Sequence, residues 1–187
     1  MALKMSLEEV IQSINSKQLN NKTNNCIIHD LDGNSRRYLL KHVQPQSSII
    51  NDGPIEEEGH IIDRLTNIIV DLNNIEYFNI LNIALSQLQI DEKIRLQSLR
   101  DLMKFKSLLL QRRHAIQFII TNPGMLDETE ARIFNLLLWI NSFAFNSIIL
   151  LNQKEHLSSY QIPNGSFLDN REDYMDIQLV KSYGTLD

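Results

Sequence analysis

The stretch Ile61-Ile62-Asp63-Arg64-Leu65-Thr66-Asn67-Ile68-Ile69-Val70-Asp71-Leu72 decides how the chain is read. Ile61, Ile62, Leu65, Ile68, Ile69 and Leu72 recur at i, i+3/i+4 and i+7/i+8, with His60, Asp63, Arg64, Thr66 and Asn67 on the other side. That period puts apolar side chains on one face of an α-helix, so an amphipathic helix is expected here. Pro54 followed by Glu56, Glu57 and Glu58 suits its start, where proline loses no hydrogen bond and acids meet the positive dipole end.

Working outward, Tyr77 to Leu88 reads as a second helix ending near Gln89, and Asp91 as the N-cap of a long one. On a helical wheel, Lys93 to Ile120 carries two apolar stripes. Ile94, Phe105, Leu108, Leu109, Ile116 and Ile119 form one; Leu96, Leu99, Met103 and Leu110 form the other. Two stripes need two neighbours, so the helix is either central to its bundle or shared with a second subunit, and the specific expectation is a homodimer interface at Leu96, Leu99, Met103 and Leu110. From Ile133 to Gln153 there is no charge at all. A membrane span is the alternative, but Asn135, Ser142 and Asn146 form a polar stripe that would need partners in lipid, so a buried central helix is expected instead.

Near the N-terminus, Ser6-Leu7-Glu8-Glu9 has the capping-box form and predicts a short helix to about Ile14. Residues 16–25 read as a polar linker. Cys26–Leu31 and Arg37–Val43 flank Asp32-Gly33-Asn34-Ser35, which predicts a β-hairpin. Met175, Ile177 and Leu179 alternate with Asp176 and Gln178 in a strand-like way. The expected fold is therefore mainly α: a helical bundle of about five helices around a buried apolar central helix, with a small hairpin near the N-terminus. The expected division is 1–25 as helix and linker, 26–153 as one globular domain, and 154–187 as a polar C-terminal segment that is left open between packing on the core and remaining a tail.

Composition narrows function. A net charge of −5 opposes non-specific binding of nucleic acid by the whole molecule. The segment Lys93–Arg113 nevertheless carries seven cations against Asp101 alone, a local charge of +6, while the rest of the chain carries −11. Lys93, Arg100, Lys104, Lys106, Arg112 and Arg113 are thus the candidates for contacting phosphates or an acidic partner. The single Cys26 forms no intrachain disulfide, and no secretory signal is seen, so an intracellular location, cytoplasmic or nuclear, is expected. The Asn21 and Asn164 sequons then read as chance matches. Glu56, His60 and Asp63 have helical spacing but lack the His-Glu-x-x-His form, so no metal site and no cofactor are expected.

The sharpest catalytic pattern is Ile27-Ile28-His29-Asp30-Leu31-Asp32-Gly33-Asn34. It resembles the first motif of the haloacid-dehalogenase-type phosphohydrolases, a hydrophobic strand ending in Asp-x-Asp-Gly-Thr. The resemblance implies that Asp30 attacks phosphorus and Asp32 serves as acid/base, with magnesium between carboxylate and phosphate. Phe118-Ile119-Ile120-Thr121-Asn122 is similar to that family's second strand, which ends in Thr or Ser. The departures are Asn34 in place of Thr, His29 inside the strand, and only Asp169 and Asp173 in place of the late acidic motif. The leading expectation is accordingly a non-enzymatic helical interaction or assembly module that self-associates. The alternatives are a nucleic-acid-associated regulator using residues 93–113, and a magnesium-dependent phosphohydrolase.

Overall fold

A computed structural model describes residues 3–16, 25–43, 48–49, 55–71, 80–94, 99–121, 145–152, 161–162, 165–166 and 174–180. In chain order the elements are β1 (Leu3–Met5), α1 (Leu7–Ser16), β2 (Asn25–Leu31), α2 (Gly33–His42), β3 (Ser48–Ile49), β4 (Ile55–Glu57), β5 (His60–Ile62) and β6 (Arg64–Asp71). They continue as α3 (Ile80–Gln87), α4 (Leu99–Gln111), β7 (His114–Thr121), β8 (Phe145–Asn152), β9 (Gln161–Ile162), β10 (Gly165–Ser166) and β11 (Tyr174–Leu179).

The fold is mixed α/β and not a helical bundle. Seven strands form one sheet in the order β1-β11-β2-β8-β7-β6-β3, parallel throughout except for β3 against β6. Helices lie on both faces. On β7, Ile119 joins the core built from α1 and α2, while its neighbour Phe118 stacks on Phe105 of α4 at 6.5 Å between ring centroids. Successive strand residues face opposite ways, so this pair alone assigns the two helical layers.

Burial on both faces explains the corrections. The expected helix at 61–72 is the end of β5 and all of β6, where Leu65, Thr66, Asn67, Ile68 and Val70 are buried. A strand covered on both sides has no polar face and so no alternation. Its apolar run then matches a helical template by accident, and the β-branched Ile, Thr and Val are the remaining signal. The same holds at β7, where Ala115 to Thr121 are all buried in what was read as the end of a long helix. β8 replaces the last part of the expected central helix, while residues 133–144 lie outside the described residues. Asp91 caps nothing, because α4 starts at Leu99.

Pro54 lies outside the described residues; the three acids after it do not start a helix. Glu56 and Glu57 belong to β4, paired antiparallel with β5 as Glu57↔His60 and Ile55↔Ile62. Glu58 (φ 51°) and Gly59 (φ 78°) form the two-residue turn, both in the left-handed region that such hairpins need. The expected hairpin at 26–43 is instead a strand followed by a helix, β2 and α2. The alternating residues 175–179 are β11, which lies beside β2 and carries β1 on its other side. The expected N-cap is present: Ser6 Oγ accepts from Glu9 N at 3.1 Å at the head of α1. Among the described residues, no helix is long and apolar enough to cross a membrane.

Candidate functional site

The strand order reverses at β2. From β2 the chain passes through α2 to β6, returns through β7 to β8 at the near side of β2, and then places β11 on the far side. In open parallel sheets the crevice at the carboxyl end of such a strand is where ligands bind, with anionic groups against the N-terminus of the following helix.

Here one backbone donor of that helix end is taken by the chain itself. Only Asp32 separates β2 from α2. Its backbone is extended (φ −74°, ψ 169°), its carbonyl accepts from Arg36 N at 3.0 Å, and its Oδ1 accepts from Ser35 N at 2.7 Å. An Asp N-cap satisfies a backbone donor that a bound phosphate would otherwise take, and adds a negative charge there. No glycine-rich loop intervenes. Gly33 has no positive φ and nothing within 4 Å of a built Cβ, so neither conformation nor close approach requires glycine there.

Of the hydrolase-like residues, the structure places the side chains of Asp32 and Thr121. Asp32 caps α2, and the side chain of Asp30 lies outside the described part of the structure. Thr121 stands on β7, two strands from β2, in register with Leu150 and through it with Ile28. Two strand spacings, about 10 Å, separate β7 from β2, so Thr121 and Asp30 do not stand on neighbouring strands. The Thr121 hydroxyl is buried and has no hydrogen-bond partner among the described residues. Asn122, Asp169 and Asp173 lie outside the described residues.

The basic segment is also dispersed. Lys106 is buried, with Nζ 2.8 Å from Glu58 Oε1 and 4.0 Å from Glu57 Oε1, which binds the β4–β5 hairpin to α4. Arg113, at φ 59°, pairs with Asp63 at 2.7 Å, and Lys104 stands 3.8 Å from Glu92. Lys93 lines a cavity of about 480 Å³ beside Asp91 and Glu92. Arg100 and Arg112 are exposed. These six side chains therefore do not form one basic stripe.

The second apolar stripe is broken too. Leu110 is 3% exposed, on the side of α4 that also carries Lys106 and meets the hairpin, whereas Met103 is 41% exposed. Leu96 and the side chain of Leu99 lie outside the described part. Glu56 and His60 fall on opposite faces of the hairpin, since His60 stands opposite Glu57. Among the described residues no three His, Cys, Asp or Glu side chains are placed to share a metal.

No family model matches the chain, and no curated protein is similar enough to it to be a relative. The remaining polar features are ones that sequence reasoning missed. His29 Nε2 lies 2.6 Å from Asp176 Oδ1 across β2 and β11, a contact between residues far apart in the chain. His114 is held by Thr66 Oγ1 at 2.5 Å; burial, and secondarily the Arg64 charge, lower its pKa to about 4. Within α2, Arg36, Arg37 and Lys41 make no ion pair among the described residues. An Arg37/Lys41 spacing of i, i+4 was the available signal, but it was hidden by reading 37–43 as a strand.

Proposed function

We propose that this chain is a non-catalytic α/β binding domain. Its parallel sheet has the layout used to bind phosphorylated ligands, with Asp32 taking one donor of the helix N-terminus at that position. The observation that carries this reading is the 2.7 Å bond from Ser35 N to Asp32 Oδ1. The Asp32 Oδ1 that would face a leaving group is instead engaged by the Ser35 N–H as the cap of α2. Self-association through α4 finds less support than the sequence implied, because Leu110 is buried and Met103 alone among the described stripe side chains is exposed.

The test is hydrolysis of generic phosphate esters by the purified chain with magnesium. No turnover above the buffer rate is expected, for the native chain or for Asp30→Asn. Turnover in the native chain that disappears in Asp30→Asn would replace this reading with the phosphohydrolase one.

A further inference from the structure

We propose that the outer side of α2 binds single-stranded nucleic acid, with backbone phosphates on Arg37 and Lys41 and a base against His42. The inference rests on the reading of the domain as a binding module and names its partner. From Gly33 to His42 the helix contains Arg36, Arg37 and Lys41 and no acid. Ser35, Leu39 and Val43 are buried, which turns Arg37 and Lys41 outward together, one helical turn apart. Among the described residues none of the three cations is neutralised by a carboxylate, in contrast to Lys106 and Arg113 of the 93–113 segment. In a chain of net charge −5, this is a local positive surface on an acidic molecule.

Geometry beside the cations distinguishes nucleic acid from other anions. The rings of Tyr38 and His42 are stacked, 4.1 Å between centroids and 25° from parallel. The His42 Nδ1–H donates to Tyr38 O at 2.8 Å, which fixes the imidazole plane. Tyr38 packs against the core on its inner side, while His42 is exposed. The result is an immobilised aromatic surface one residue from Lys41, the pairing of charge and stacking plane that single strands use. Arg37 spends Nε on Gly33 O and Nη2 on Asn34 Oδ1, which orients its guanidinium and leaves further N–H groups for a phosphate oxygen. No large apolar side chain of α2 is exposed, so the surface has nothing to insert into a bilayer.

The experiment is fluorescence anisotropy of labelled oligo(dT) and oligo(U) with the full chain. Two phosphate contacts predict affinity falling about 7-fold as salt rises from about 50 to 200 mM. Arg37→Glu/Lys41→Glu is expected to weaken binding at least tenfold, by charge reversal, with far-ultraviolet circular dichroism unchanged. The neutral pair Arg37→Gln/Lys41→Gln is expected to flatten the salt dependence, and His42→Ala to weaken binding without changing that slope. Arg112→Glu is expected to do nothing. Three results would each overturn the proposal: no salt-sensitive oligonucleotide binding, loss of binding on Arg112→Glu but not on the α2 variants, or binding to phosphatidylserine vesicles without binding to oligonucleotide. Phosphate-ester turnover measured on the same samples separates the two claims, since turnover contradicts the non-catalytic reading whether or not oligonucleotide binds.

Discussion

Replacing Gln117 by leucine is expected to lower the stability of the fold by about 2–3 kcal/mol, although the two side chains are similar in size. Gln117 is 1% exposed on β7, and its Nε2 donates both to Ile14 O at 2.6 Å and to Asn67 Oδ1 at 2.9 Å. The first acceptor is one of the last-turn carbonyls of α1, which have no partner within the helix. Asn67 Nδ2 in turn donates to Asn15 Oδ1 at 3.3 Å, and Asn15 Nδ2 donates to His42 O at 3.1 Å at the end of α2. Neither helix ends in a glycine, so these side chains do the capping. Leucine would leave buried acceptors without that donor, and this desolvation cost exceeds the net worth of the bonds. Urea unfolding is the measurement, with Asn67→Leu and the double variant completing a cycle. The double variant should cost less than the sum of the singles, because removing both partners leaves fewer unmatched groups. A loss below about 0.5 kcal/mol for Gln117→Leu would mean that the network does not hold α1 to the sheet.

A second large effect is expected on acidification, through His114. Its ordinary value of 6.5 is lowered to about 4, first by burial and then by the neighbouring Arg64, with Asp63 opposing. The fold therefore favours the neutral ring. Above pH 6.5 both folded and unfolded chains carry it neutral, and it adds no pH dependence. As pH falls from 6.5 towards 4, the unfolded chain takes up the proton first and stability drains away; below about 4 the loss is complete. Partial exposure of the ring reduces the expected loss to about 2 kcal/mol. His114→Gln removes this slope while keeping a side chain able to meet Thr66. Unfolding curves for the two proteins should diverge at neutral pH and converge or cross below pH 5, the variant being the less acid-sensitive. Parallel curves across that range would show that His114 is not the titrating group.

What was legible in the sequence was local chemistry. Ser6 and Glu9 specify the head of α1 through groups three residues apart, and the apolar run ending at Leu31 was recognised as a strand. A helix was also expected where α3 stands. What failed was any inference that needed the other side of the molecule. The strands β6 and β7 are buried on both faces because α1 and α2 cover one and α3 and α4 the other, and a one-dimensional pattern does not distinguish that from a buried helix. The charges misled for the same reason. Lys106 reads as a free cation until the hairpin brings Glu57 and Glu58 to it from nearly fifty residues away. Asp32 was weighed as a turn former and as a catalytic acid, whereas its place one residue before Gly33-Asn34-Ser35 marks an N-cap, a role that shows only once the following segment is known to be helical.

The role of Asp32 is the central claim, and one set of unfolding measurements at neutral pH addresses it directly. If Asp32 is a cap, Asp32→Asn and Asp32→Ser, which retain a side-chain acceptor, should stay close to the native chain, and Asp32→Ala should lose about 1 kcal/mol. A carboxylate kept for binding magnesium or protonating a leaving group is instead a source of strain in the unliganded protein, and removing it stabilises. A gain in stability for all three substitutions would contradict the account.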